Sequence, residues 1–234
     1  MGAFTFGLPA RPVYDGVMLV HRARALVSLA LIVVVFAGCA AGSPPQTSTE
    51  SPAPPASATP PIAPTWQVGD RWVYEWTSGK ENGIKTVEVV DVRDLNGVSY
   101  YVVRLGEAEH YYTRELHWAA AIREARVEAR MVPPHPWFAW PLKAGARWTH
   151  QGRFETREGA VTYNDRFSVT GPESVEVPAG RYQAIKVVRE TDRRDGDEYW
   201  YAPDVRWYAR WVGRRDESQF EERLREYQAA PRPR

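Results

Sequence analysis

The chain has 234 residues, a formal net charge of +1 and 25% charged residues. From Cys39 onward it carries 27 Lys and Arg against 28 Asp and Glu, with both signs interspersed. Such a balanced surface exerts no long-range attraction on polyanions, which argues against nucleic acid as a partner. Cys39 is the single cysteine, so the part of the chain that follows it has no disulfide and no zinc site containing cysteine.

Residues 1–38 have the three parts of a bacterial secretion signal. A basic start at residues 21–24 precedes an apolar run over residues 25–36, and Ala37 and Gly38 supply the small residues that come before a cleavage site. The residues ahead of Met18 include an aspartate and two prolines, which do not fit a short basic start. We therefore expect translation to begin at Met18.

Cys39 follows this segment directly, and the sequence Phe36-Ala-Gly-Cys39 resembles the lipobox of bacterial lipoproteins, with phenylalanine where leucine is usual. The resemblance implies that the Cys39 thiol takes a diacylglycerol and becomes the first residue of a mature, membrane-anchored protein. It also implies export, to the periplasmic face of the outer membrane or to the cell surface. An uncleaved anchor over residues 25–41 is the alternative, although that run is shorter than the roughly 20 residues of a membrane span.

Residues 39–65 read as a lipidated cysteine and a disordered tether. Positions 40–65 hold eight prolines and eight Ser or Thr, a composition that cannot bury enough apolar surface to fold and that favours an extended chain of about 3.1 Å per residue. All ten tryptophans lie in the following region. We expect one domain over residues 66–228 and a disordered tail over residues 229–234.

Alternation of period two dominates this domain. Trp72, Tyr74 and Trp76 alternate with Arg, Val and Glu, which is typical of strands with one buried face. Residues 116–131 contain many helix-favouring residues but alternate cleanly toward their end, so we predict two strands there. The predicted fold is all-β: an antiparallel curved sheet or unclosed half-barrel of about 10 to 12 strands.

An internal repeat is visible in the same region. Gly69-Asp-Arg-Trp72 matches Gly145-Ala-Arg-Trp148 at an offset of 76, and Glu109–Trp118 parallels Glu198–Trp207 at an offset of 89. The order is kept while the offset grows, as expected of a duplicated meander with small insertions in the second copy. The halves would span residues 66–131 and 142–228, joined by residues 132–141. The alternative is that any two meanders of aromatic strands look alike.

Several turn and packing motifs resemble a pattern found in uncharacterised bacterial envelope proteins. They are Val177-Pro-Ala-Gly-Arg-Tyr182, Lys186-Val-Val188, Tyr199-Trp-Tyr-Ala-Pro-Asp-Val205 and the earlier Trp140-Pro-Leu-Lys-Ala-Gly-Ala-Arg-Trp148. Those families are similar to the curved, unclosed β-barrel of the lipoprotein carriers and receptors LolA and LolB. The resemblance covers about 65 residues of the second half and implies a fold rather than an activity.

Motifs of catalysis are absent from the sequence. There is no nucleophile elbow, phosphate-binding glycine loop or dinucleotide fingerprint, so we predict no catalytic residues and no cofactor. Glu115 and His117 could share one strand face, but two ligands are too few for zinc, and we predict no metal site. A hydrolase using paired carboxylates is the remaining enzyme hypothesis.

The aromatic face of the sheet is the candidate binding surface. In a curved, unclosed sheet it would line an apolar groove for an acyl chain or similar ligand; in a closely packed domain the same residues would be core. The predicted function is a non-enzymatic, lipid-anchored envelope protein that binds a hydrophobic ligand or another envelope component. The alternative is a structural or protein-interaction module with a fully packed core. The groove residues are Trp72, Tyr74, Trp76, Trp118, Trp148, Trp207 and Trp211, and the candidate lid residues are Trp137, Phe138 and Trp140.

Overall fold

The structure is a computed structural model that describes residues 59–192, 195–215 and 218–231. The predicted signal segment, Cys39 and most of the tether lie outside the described residues. The described residues from Pro60 onward belong to one compact unit. Within the described ranges, no helix is long and apolar enough to cross a membrane.

The described part of the folded unit consists of twelve antiparallel strands and one short 3-10 helix, Pro203–Val205. Each strand pairs with its neighbours in the chain. The strands are β1 (Arg71–Ser78), β2 (Glu81–Leu95), β3 (Val98–Leu105), β4 (Ala108–Thr113), β5 (His117–Arg123), β6 (Arg126–Pro136), β7 (Arg147–Thr156), β8 (Gly159–Val177), β9 (Gly180–Thr191), β10 (Gly196–Ala202), β11 (Trp207–Arg215) and β12 (Ser218–Gln228).

The sheet closes into a barrel because β1 pairs with β12 as well as with β2. The prediction of an all-β antiparallel fold with about 10 to 12 strands is confirmed. The sheet has no open edge, whereas an unclosed half-barrel was one of the two forms expected from the sequence. Closure satisfies the backbone groups that two edge strands would leave unpaired.

Two successive six-strand meanders, β1–β6 and β7–β12, share local hydrogen bonds. Gly69 N donates to Val89 O at 2.8 Å and Val89 N to Asp70 O at 2.9 Å. In the second meander, Gly145 N donates to Val169 O at 2.8 Å, and Val169 N donates to the residue that follows Gly145 at 2.9 Å. Both glycines have positive φ, at 97° and 81°, which glycine adopts without strain.

Irregularities of the ladder also recur between the meanders. The β2/β3 register shifts between Val89 and Asp91, and the β8/β9 register shifts between Val169 and Gly171. Residues 116–131 form β5 and β6, joined at Glu124 and Ala125. The prediction of two strands in this ambiguous segment is therefore confirmed.

Two ends of the barrel differ in how they are covered. We call the end where residues 137–146 connect β6 to β7 the joint end, and the opposite end the hairpin end. Residues 60–65, which the sequence assigns to the tether, contact the joint end: Pro61 O accepts from Leu142 N at 3.0 Å, and Thr65 O accepts from Arg206 at 3.1 Å. The chain therefore enters the folded unit at the joint end.

Candidate functional site

The predicted groove residues lie in the barrel interior, and most of them are core. Five of the seven are no more than 8% exposed and two are half-buried. Of the lid residues, Phe138 is fully buried and the other two are half-buried and pack against the core. The five buried groove residues are Trp72, Tyr74, Trp118, Trp207 and Trp211; the half-buried residues are Trp76, Trp148, Trp137 and Trp140.

The aromatic rings fill the joint end of the interior by packing on one another. The Trp207 ring lies 4.8 Å from Trp66, 5.6 Å from Phe138 and 5.8 Å from Tyr112, each in an edge-to-face arrangement. The Trp137 ring lies 5.3 Å from Trp211. The segment predicted as a lid is therefore part of the core at the joint end.

Three indole N–H groups in this half of the barrel donate hydrogen bonds to backbone carbonyls. Trp72 donates to Val205 O at 2.8 Å, and Trp66 donates to Arg206 O at 2.9 Å. Trp140 donates to a backbone carbonyl at 2.9 Å. A buried tryptophan usually has such a partner, so these three rings meet the requirements of a packed core.

Inward side chains turn polar toward the hairpin end. On β2, Lys85 lies directly opposite Tyr74 and forms an ion pair with Glu222, which is fully buried on β12. Tyr208 O–H donates to Glu222 at 2.6 Å. Burial, followed by the charge of Glu222, raises the pKa of Tyr208 well above its ordinary value. This cluster is a charged layer directly above the aromatic core.

A chain of alternating charges crosses four neighbouring strands, β8 to β11, on the other side of the interior. Arg189 donates to Asp165 at 2.9 Å and to Asp197 at 2.5 Å, and Arg215 donates to Asp197 at 2.8 Å. Both aspartates are at most 1% exposed. The two acids and two bases balance, so the chain contributes no net charge to the interior.

Sequence reasoning missed this polar half. Its charged members continue inward-facing series of period two, such as Phe220-x-Glu222-x-Leu224 on β12. A charged residue at an inward position of an otherwise apolar series was the signal available in the sequence. It does not identify the partner of that charge, because the partner depends on the register between strands.

Three inward glycines make room for side chains of the interior. Gly83, Gly152 and Gly213 lie against the side chains of Trp76, Tyr163 and Asp197, and a Cβ atom on each glycine would lie within 3.0 Å of that side chain.

The boundary between β6 and β7, which we call the seam, pairs over a short stretch. Four of the eleven residues of β6 pair with β7, the last pair being Val132 with Arg153. Three of the next four residues of β6 are prolines, which have no N–H to continue the ladder. The strands therefore separate toward the joint end beyond Val132.

Inward side chains from three strands meet behind the seam. His135 lies 5.3 Å from the His150 ring and 5.6 Å from the Tyr163 ring. His135 Nε2 donates to Asp165 Oδ2 at 2.8 Å. Burial, the largest influence, would raise the pKa of Asp165, but the hydrogen bonds from His135 and Arg189 and the charge of Arg189 hold it below its ordinary value.

Histidines of the interior are neutral near pH 7. Burial lowers the pKa of His135 to about 4, although its hydrogen bond to Asp165 opposes the shift. Burial, followed by the charge of Lys85, lowers the pKa of His110 to about 4. The Nδ1 atom of His110 accepts from the Trp118 indole at 3.1 Å, as a neutral ring allows.

Glu115 and His117 do not share a strand face, because Glu115 lies in the turn before β5. Across the part of the chain that the structure describes, there is no group of three or more His, Cys, Asp or Glu side chains that could hold a metal ion. Asp165 and Asp197 have arginine partners, so the geometry gives neither of them a ligand set for a cation.

Comparison with known proteins gives remote structural likenesses. No family model matches the chain, and no curated protein matches its sequence. A Bacteroides fragilis protein, described as exported and with a YmcC-like fold, is 14% identical, with 70% of this chain and 97% of that one covered and a TM-score of 0.43.

Two further solved structures are described as lipoproteins. One, from Parabacteroides distasonis, is 12% identical, with 69% of this chain and 96% of that one covered and a TM-score of 0.40. The other, YmcC of Escherichia coli, is 11% identical, with 70% and 85% covered and a TM-score of 0.36. All TM-scores are below 0.5, so no property of these proteins is transferred to the chain. The similarity to LolA and LolB stays a prediction.

We expect the free energy of unfolding to fall by about 2 kcal/mol for each of His110 and His135 between pH 7 and pH 5. With a folded pKa near 4 and an ordinary value of 6.5, each ring stays neutral in the barrel while the unfolded chain takes up a proton. The loss therefore begins as the pH falls through 6.5 and is complete near 4. Urea unfolding at pH 7, 6 and 5 measures it.

The variant His135→Gln should remove about half of this pH dependence, because Gln does not titrate. His117→Gln is the matched control: burial also lowers the pKa of His117, but the ring is less deeply buried, so its removal should change the slope less. An unfolding free energy that is the same at pH 7 and pH 5 in the unmodified protein would contradict the assignment of neutral, buried histidines.

Proposed function

We propose that the protein is a lipid-anchored, non-enzymatic component of the cell envelope whose barrel is a rigid module that binds another envelope component. The packed aromatic interior is the observation that carries this proposal. Trp72, Tyr74, Trp207 and Trp211 are 0 to 3% exposed and pack on one another or on their neighbours. Residues so placed stabilise the barrel, which leaves recognition to the polar half of the interior and to the outer surface.

The anchor is supported by the sequence around Cys39 and by the place where the chain enters the barrel. An acyl group on Cys39 would hold the protein at a membrane, and the proline-rich residues up to 59 give a tether of about 60 Å at 3.1 Å per residue. The tether joins the folded unit at the joint end. The hairpin end, with the polar half of the interior, is the end remote from that junction.

A non-enzymatic role is supported by the state of the buried acids. A carboxylate hydrolase needs one acid held protonated near neutral pH, through a raised pKa. The pKa of Asp165 is lowered instead. Asp197 has two arginine partners, and Glu222 has Lys85 and Tyr208. The three acids are therefore arranged as partners of cations and not as a general acid with its base.

Replacing the lipidation site, Cys39→Ser, should move the protein from the membrane fraction to the soluble fraction without unfolding it, because the change removes the acyl attachment and touches no described residue. Cell fractionation followed by tryptophan fluorescence of both fractions measures location and folding together. Cys39→Ala is the matched control, and it should behave in the same way. Retention of both variants on the membrane would show that residues 25–41 act as an uncleaved anchor.

Truncating a core ring, Trp207→Ala, should lower the free energy of unfolding by about 3 to 5 kcal/mol, as expected for a large aromatic side chain removed from a packed interior. Chemical unfolding of the variant and of the unmodified protein measures this difference.

A fluorescent fatty acid should show no saturable binding to the unmodified protein, because the aromatic rings fill the interior. A fluorescence titration measures this binding. Saturable binding that disappears in a variant of nearly unchanged stability would instead support an apolar groove.

A further inference from the structure

Three of the buried polar atoms that have no hydrogen-bond partner lie behind the seam, while others, such as Asn164 Oδ1 and Glu222 Oε1, lie elsewhere in the barrel. Among the described residues, Trp148 Nε1, His150 Nε2 and Asp165 Oδ1 are buried and have no hydrogen-bond partner. His150 lies directly opposite Asp165 in the β7/β8 ladder, and Trp148 precedes His150 by two residues on the same face. Leaving such an atom unpaired costs about 1 to 3 kcal/mol. We call these three the seam atoms.

Aromatic contacts and backbone bonds hold the seam atoms in place. The Trp148 ring stacks on Phe167 at 4.9 Å with an interplanar angle of 5°. The backbone of Pro133 is a hydrogen-bonding influence on the pKa of His150, and His150 Nε2 has no partner; a neutral ring that donates to Pro133 O through Nδ1 presents Nε2 as an acceptor. Asp165 is fixed through Oδ2 by His135 and Arg189. The site thus presents two acceptors and one N–H donor in fixed positions.

Several inward side chains near the seam are only partly buried. Inward residues of β7 and β8 near the seam, such as His150, Tyr163 and Phe154, are half-buried, and Val161 is 39% exposed. Tyr74 on the opposite wall is 0% exposed. A ligand would reach the seam atoms between the unpaired parts of β6 and β7, beyond Val132, where the ladder between the two strands ends.

The charge around the seam atoms selects a neutral ligand. Asp165 is balanced by Arg189, and burial lowers the pKa of His135 and His150, so that both rings are neutral at pH 7. An anion would meet the carboxylate of Asp165 with no unpaired cation beside it. A cation would compete with Arg189, which already bonds two aspartates.

The spacing and polarity of the seam atoms point to hydroxyl groups. Two acceptors need ligand donors and the indole N–H needs a ligand acceptor, and a hydroxyl supplies both functions. Residues two apart on a strand are about 6.6 Å apart, a distance that one polyhydroxylated ring can bridge. Tyr163 and Phe154 border the same region, where the Tyr163 ring packs on His135 and the Phe154 ring stacks on Trp118.

We propose that the seam between β6 and β7 is the entrance to a binding site for a neutral sugar unit, whose hydroxyls pair with Trp148 Nε1, His150 Nε2 and Asp165 Oδ1. A neutral sugar unit would be the envelope component, or part of it, that the proposed function leaves unnamed. The inference rests on the proposed function only because it treats the barrel as a binding module. It does not require the anchor at Cys39.

The test uses the full-length chain in detergent and an array of neutral mono- and oligosaccharides, with phosphorylated sugars and amino sugars as charged comparators. We expect binding to a neutral class, weakened about tenfold in Trp148→Phe and in His150→Gln, since each change removes one hydrogen-bonding atom. The variant Trp148→Phe keeps an aromatic ring stacked on Phe167. If Trp148→Phe does not fold, His150→Gln still tests the site.

Trp140→Phe is the matched control. It also removes an indole N–H, but one that is donated to Glu115 O at the joint end, so sugar binding should be unchanged. Absence of binding to every neutral sugar, preference for the charged comparators, or equal binding by all variants would overturn the proposal. Those results would leave the proposed function standing, because the partition of Cys39→Ser and the stability of Trp207→Ala do not depend on the array.

Discussion

Closure of twelve strands sets the constraint on which the rest of this structure depends. The diameter of a barrel grows with its strand number, and about eight strands already enclose a space that ordinary side chains just fill. Twelve strands enclose more, and this chain fills the joint end with large rings such as Trp66, Trp72, Phe138 and Trp207. The wealth of aromatic residues is therefore explained by the volume that closure creates, and the connection between β6 and β7 completes the filling.

Aromatic rings fill the interior from the joint end to partway along the barrel axis. Beyond them, paired charged side chains fill the interior. Lys85 with Glu222, and Arg189 with Asp165 and Asp197, occupy inward positions that an apolar core would give to hydrophobic residues. Buried pairs of this kind add little net stability, because desolvation offsets their attraction. Their neutral sum and the contact of Asp165 with His135 at the seam give this part of the interior a chemistry suited to recognition, while the packed aromatic rings supply rigidity.

Local pattern and long-range pairing account for what the sequence could and could not predict. Alternation located the inward rings Trp72 and Tyr74 and separated β5 from β6, since period two is a property of neighbouring residues. Closure depends on β1 meeting β12 across the length of the domain, which no local signal reports. The contact of Asp165 with Arg189 likewise depends on the register between strands, so the polar site was not predicted. Because closure was not predicted either, the sequence allowed the aromatic face to be a groove as well as a core.

Amide hydrogen exchange on the full-length protein tests most directly whether the barrel is rigid where its interior is aromatic and opens at the seam. We expect the amides of Trp72 and Tyr74 to exchange only with global unfolding. The amides of residues 147–152 that point toward β6 should exchange through local opening of lower free energy. Equal protection of β1 and of residues 147–152 would mean that the barrel does not open at the seam.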